Sequence, residues 1–252
     1  MNLYKNPEYY DIAFSWRNIP KEVNFFEAAI RKFSKIKVKK VLEFASGNSP
    51  YLEEWDKRGY QYFGLDLSPK MLNFTKKKAK ERGIDTKLFL GNMNHFSLGK
   101  LKVDLVYILL GSLYATSNDE FFKHLDCVAK VLKKGGLYIL NDGIWFDILN
   151  DDEQSWTISK RGIKIKVSYR AKVVNPLAQT YQEDLVLKIN DHGVKKEIHS
   201  NQLQKFFFPQ EFLSLIKCYG KFEFLGWFNN FNLRRSVTSN PRDRKVVVLR
   251  KK

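Results

Sequence analysis

Between residues 39 and 142 the chain alternates short apolar runs with segments of helical period. Runs of strand length stand at 40–44, 61–65, 87–91, 103–109 and 136–141, and helical segments at 50–58, 69–82 and 118–133. Regular strand–helix alternation with short connections predicts a parallel sheet covered by helices on both faces. Ser68-Pro69 reads as a helix start, a hydroxyl cap followed by proline at the first helical position. Asn118, followed by Asp119 and Glu120, reads as another, with acids at the positive end of the helix dipole. Ahead of this region, residues 1–37 predict a helical lead-in, in which Phe25, Phe26, Ile30 and Phe33 form one apolar stripe.

After Asp142 the period changes to two. RGIKIKVSYRAKVV, AQTYQEDLVLKIND and GVKKEIHSNQL alternate apolar and polar residues and are separated by Asn175-Pro176 and Asp191-His192-Gly193, which predicts three antiparallel strands. A helix starts at Pro209, and FEFLGWF with RKVVVLRKK predicts a closing antiparallel pair. The expected domains are a lead-in or lid at 1–37, a core at 38–148 and 205–252, and an antiparallel lid at 149–204.

Composition changes this picture little. The net charge of +17 favours anionic partners, RNA among them, without choosing one. Much of the excess falls on an expected solvent face, at Lys76, Lys77, Lys78, Lys80 and Arg82. Cys127 and Cys218 lie in helical patterns without CxxC spacing, so neither a metal site nor a disulfide framework is expected. No apolar run has the length of a membrane span and MNLYKNPEYYD lacks a signal-peptide core, so no membrane partner and a cytoplasmic location are expected.

The chemistry concentrates in VLEFASGNSPYLEEWDKRGYQYFGLDLSPKML, residues 41–72. A buried strand runs into a turn of small residues at 45–49, where backbone N–H groups can approach a ligand as the next helix begins. Asp66 closes the second strand, where a mononucleotide-binding unit places a carboxylate against ribose hydroxyls. Gly91-Asn92-Met93, VDLVYILLGSLYA from Val103 and VAKVLKKGGLYILND from Val128 follow in order. With these motifs the chain resembles the class I S-adenosylmethionine-dependent methyltransferases over roughly residues 38–142.

The resemblance implies a Rossmann-like, seven-stranded, mostly parallel sheet with helices on both faces, an inserted antiparallel lid, and S-adenosylmethionine as methyl donor. It gives Glu43 the loop or the methionine ammonium, and puts Ala45, Gly47 and Ser49 at three positions usually held by glycine. Pro50 is expected to keep Ser49 extended. Asp66 would hold the ribose, Leu67 and Met93 the adenine ring, and Asn92 the adenine amino group. Leu109, Leu110, Gly111 and Ser112 would border the methyl end. The chain has no Asn-Pro-Pro-Tyr, Asp-Pro-Pro-Tyr or Pro-Cys motif, which disfavours the usual base-amine and covalent cytosine chemistries.

The acceptor is therefore expected to be an N, O or S nucleophile, on a small molecule enclosed by the lid. RNA is the second reading, carried by the charge and by Arg234, Arg235, Arg242 and Arg244 near Phe231 and Trp227. A donor-binding protein without catalysis is the third. Methyl transfer needs no dedicated base, and none is singled out. Tyr10 in the Tyr9-Tyr10-Asp11 segment, His95, Tyr169 and His199 are the candidates, with Arg170 beside Tyr169.

Overall fold

The computed structural model describes residues 3–146, 152–235, 237 and 243–252. A short 3-10 turn at Leu3–Lys5 precedes α1 (Pro7–Ala13) and α2 (Ile19–Phe33), so the lead-in is two helices joined by a loop. Phe25 and Phe26 of α2 are buried and Ile30 and Phe33 pack beside them against one face of the main sheet.

The alternating region forms β1 (Lys40–Phe44), α3 (Leu52–Lys57), β2 (Gln61–Asp66), α4 (Pro69–Arg82), β3 (Lys87–Leu90), β4 (Val103–Ile108), α5 (Asn118–Val131) and β5 (Leu132–Asn141). Ser68 caps α4 by accepting from Met71 N. The cap of α5 is Ser117, one residue before the expected start, because its hydroxyl accepts from Glu120 N. α5 ends two residues earlier than its pattern suggests, and β5 starts at Leu132 instead of at residue 136. Its paired glycines lie inside the strand, where Gly136 is required: a Cβ there would sit 2.5 Å from the Asp104 carbonyl oxygen.

Seven strands pair in the order β10-β11-β5-β4-β1-β2-β3, with β1 to β5 mutually parallel. The closing strands β10 (Phe222–Asn229) and β11 (Lys245–Lys251) pair antiparallel with each other, and β11 pairs antiparallel with β5. α6 (Pro209–Tyr219) precedes them. Two buried clusters cover the two faces, one around Phe121, Phe207 and Phe212 and one around Phe26, Trp55 and Tyr107.

The second sheet has four strands rather than three: β6 (Asp152–Lys160), β7 (Ile163–Asn175), β8 (Thr180–Asp191) and β9 (Val194–Lys205), in that order. β6 lacks the alternating pattern of the other three because DEQSWTISK is mostly polar. Its Trp156 nevertheless turns inward, donates its ring N–H to Ala13 O at 2.8 Å and packs edge-on to Phe14. α1 thus docks on the inner face of this sheet, sharing a core with Ile165, Val167, Leu187 and Ile198. Both cysteines are free, and among the described residues no helix is long and apolar enough to cross a membrane.

Candidate active site

The loop after β1 turns through alternating left-handed residues. Ala45, Gly47 and Ser49 have φ of 49°, 51° and 45°. The three positions that glycine usually fills thus keep the backbone that glycine favours, although two of them carry a side chain. Ser49 is consequently not extended, contrary to the expectation drawn from Pro50. Tertiary bonds override the local preference: Ser49 N donates to Ser46 O at 2.7 Å and its hydroxyl hydrogen-bonds with Tyr62 Oη at 2.8 Å.

Three neighbours hold this turn. The Asp66 carboxylate accepts from Gly47 N and from Ser68 N, both at 2.7 Å. Thr75 donates to Gly47 O at 3.0 Å. Lys78, expected on a solvent face, instead turns inward and donates to the carbonyls of Asn48 and Ser49 at 2.9 and 2.8 Å. Gly64 on β2 makes room for the turn, since a Cβ there would meet Ser46 Oγ at 2.8 Å. Burial raises the Asp66 carboxyl above its usual range, opposed by the Ser68 and Gly47 amides.

A cavity of about 720 Å³ opens against this loop. Glu43, Ala45, Ser46, Gly47 and Asn48 form its floor, Leu109, Leu110 and Ser112 at the end of β4 one wall, and Tyr10, Asp11 and Arg17 another. Asn48 ties the floor to α1 by donating to Asp11 at 2.7 Å. Lys160, Arg161 and Ile163 bring the β6–β7 hairpin to the rim. Glu43 is 4% exposed and accepts from Tyr62 Oη at 2.5 Å and Tyr107 Oη at 3.2 Å. Burial pushes its carboxyl up to about 8, with those hydroxyls and the Arg17 charge acting against the shift.

A buried polar brace, with no signature in the hydrophobic pattern, backs the cavity. Glu22 on α2 pairs with Arg17 at 2.7 Å and with Arg244 at 2.5 Å, and accepts from the Tyr51 hydroxyl, which also meets Arg17. Arg244 donates as well to Asn141 Oδ1 at 3.0 Å, and Asn141 accepts from Leu110 N at 3.3 Å. The chain of bonds therefore runs from α2 to the turn after β4, where Leu110 and Gly111 have φ of 56° and 64°.

The remaining candidates are placed as follows. Leu67 is 60% exposed, Asn92 is exposed with its Oδ1 accepting from Asn94 N, and Met93 is buried in the core; none of the three lines the cavity. His95 is an exposed loop residue away from the cavity lining, and His199, exposed, pairs with Glu197 at 2.8 Å. Tyr169 is half-buried on the inner face of the lid sheet and Arg170 is exposed. Arg244 does not belong to a basic surface cluster: it stacks on Phe231, with its guanidinium carbon 4.5 Å from the ring centre. Trp227 packs elsewhere, on Phe212 and Phe224, and Arg242 lies outside the described residues.

A family model described as a methyltransferase domain matches residues 41–136, the stretch that carries β1 to β5 and the left-handed loop. Over this stretch the chain is similar to methyltransferase domains. Three solved structures share the fold over nearly the whole chain. An S-adenosylmethionine-dependent methyltransferase from Clostridium acetobutylicum is 15% identical, with a TM-score of 0.79 and 96% of each chain covered. CalS10, an amino pentose methyltransferase from Micromonospora echinaspora solved with S-adenosylmethionine bound, is 16% identical, with a TM-score of 0.73 and 97% of each covered. The sugar N-methyltransferase KedS8 from Streptoalloteichus is 17% identical, with a TM-score of 0.76, covering 96% of this chain and 92% of that one. No curated protein matches the sequence.

The residues present at the cavity suit a molecule such as the S-adenosylmethionine bound to CalS10. Ser46 Oγ, in a residue 2% exposed on the cavity floor, has no hydrogen-bond partner among the described residues. It is an orphaned polar atom where a polar ligand is needed.

Proposed function

We propose that this methyltransferase transfers a methyl group to an N, O or S nucleophile of a small molecule held between the core and the four-stranded sheet. The observation that carries the reading is the closure of the cavity. Tyr10, Asp11 and Arg17 from the N-terminal segment stand over the 45–50 loop, and the β6–β7 hairpin reaches the rim. Such an enclosure suits a compact acceptor better than a polymer laid along a groove. The sugar and amino pentose methyltransferases that share the fold support the same class.

In this reading Glu43, Ala45, Gly47 and Leu109 of the cavity lining hold the donor, with Asp66 behind the loop as its ribose contact, while Ser49, Leu67, Asn92 and Met93 lie off the lining. S-adenosylmethionine supplies an electrophilic methyl group on a cationic sulfur. The chain's task is to align the acceptor with that methyl and to keep water out. Asp66, fixed by two backbone N–H groups, keeps free lone pairs for ribose hydroxyls. In the same reading Tyr10, half-buried on the cavity wall, covers the methyl end.

The test is calorimetric titration of the full chain with S-adenosylmethionine and S-adenosylhomocysteine, followed by product detection with small-molecule amines, alcohols and thiols and with total RNA. Donor binding with turnover of a small acceptor is expected. Methylation of RNA alone would replace this acceptor class, and donor binding without any turnover would favour a binding protein.

A further inference from the structure

We propose that Glu183 on the lid sheet is the acceptor's anchor, binding the ammonium group of a small-molecule amine and taking its proton as the nitrogen becomes the nucleophile. The inference rests on the methyltransferase reading above and specifies its acceptor.

The placement follows from strand register. On β8, Tyr181, Glu183, Leu185, Leu187 and Ile189 share the inner face of the lid sheet. Leu185, Leu187 and Ile189 pack with α1, while Tyr181 and Ala171 pack with Phe206 and Trp145. Glu183 falls between these two apolar clusters, opposite Ala171 on one side and Gln202 on the other.

The groups around it are polar and uncharged. Gln202 donates to Tyr4 Oη at 3.2 Å, and Tyr4 Oη lies 3.0 Å from Tyr114 Oη. Tyr114 is two residues beyond Ser112 of the donor cavity, and Tyr10 of that cavity stacks 6.1 Å from Tyr4. The site thus shares its wall with the donor cavity. Gln204, the next inward residue on β9, is 1% exposed, and its Nε2 has no partner among the described residues. A buried amide donor and a half-buried carboxylate, both without side-chain partners among the described residues, are what a polar, cationic guest satisfies.

No lysine, arginine or histidine pairs with Glu183 among the described residues. Tyr4, Tyr10, Tyr114 and Tyr181 are the titratable groups that feel its charge, and Asp184 adjoins it. Burial, with Asp184 adding to it, pushes the Glu183 carboxyl up to about 7, close to where a general base works best at neutral pH. The balance of the step is simple. The ammonium gives one proton to the carboxylate, the freed nitrogen lone pair bonds to the methyl carbon, and the electron pair of the broken C–S bond stays on sulfur.

The full chain, saturated with S-adenosylhomocysteine, is titrated with glucosamine and galactosamine and with glucose and galactose, as wild type and as Glu183→Gln. We expect an amino sugar to bind about tenfold more tightly than its hydroxyl counterpart. That preference should fall at least about fivefold in Glu183→Gln, a variant of the same shape, with S-adenosylhomocysteine affinity unchanged. With donor present, methyl transfer to the amine should rise with pH through about 7 in the wild type and lose that rise in the variant. Equal binding of amines and hydroxyl counterparts, or a preference untouched by the substitution, would overturn the inference while leaving the methyltransferase reading intact. Failure of the wild type to bind S-adenosylhomocysteine would overturn that reading and the inference with it.

Discussion

The carboxylate of Asp66 accepts a 2.7 Å hydrogen bond from the backbone N–H of Gly47. This bond joins the C-terminal end of β2 to the middle of the left-handed loop after β1, so Asp66 and the loop on the cavity floor are one mechanical unit. Asp66→Ala removes both the loop's anchor and the proposed ribose contact. A charge-assisted hydrogen bond of this kind contributes about 1.5–3 kcal/mol, so calorimetry should show donor affinity at least about tenfold weaker. Unchanged affinity would remove Asp66 from the donor site.

Gly47 offers a second handle on the same loop. A Cβ there has room, its nearest neighbour being Ala45 O at 3.9 Å, so the cost of Gly47→Ala comes from the φ of 51° alone. We expect about 1–2 kcal/mol of lost stability in urea unfolding. Ala45→Gly, at φ 49°, relieves the same strain and should not destabilise the fold.

Glu22 sits between two arginines. Replacing it by alanine leaves Arg17, whose side chain is 5% exposed, without its counter-charge and unties Arg244 from α2. Breaking a buried pair in this way costs about 3–5 kcal/mol. Chemical denaturation of Glu22→Ala should show a loss of that order, larger than for a charge removal at exposed Glu81.

Glu43 makes stability depend on pH. Its carboxyl is raised from the ordinary value near 4.5 to about 8 by burial, so the folded state favours the protonated form. The stabilisation is complete below about pH 4.5 and is lost as pH rises through about 8. Urea unfolding across this window should show the wild type losing stability relative to Glu43→Gln, which has no proton to release. Parallel pH curves would refute the assignment.

Hydrophobic pattern was enough to read the main sheet, because strands buried on both faces and amphipathic helices write their period directly into the chain. The expected ranges for β1, β2, β3, β4 and α4 agree with the structure to within a residue. Pattern failed where burial comes from a distant partner. β6 is polar by composition and is drawn into the sheet by β7 and by Trp156 meeting α1. Lys78 looks like one solvent-facing lysine among several until the carbonyls of Asn48 and Ser49 are placed beside it.

Sequence by itself determined the order of strands and helices, the small-residue turn after β1, the acid at the end of β2 and the change to an antiparallel lid. These are local properties, set by the spacing of apolar side chains and by turn residues, and they sufficed to give the fold class. The tertiary structure decided which residues share one cavity. It placed Tyr10, Glu43, Ala45, Gly47 and Leu109 around one cavity and left Ser49, Asp66, Leu67, Asn92, Met93, His95, Tyr169 and His199 off its lining. It also built the Arg17–Glu22–Arg244 brace and set Glu183 between two apolar clusters. Those relationships join residues far apart along the chain, and only the folded path brings them within hydrogen-bonding distance.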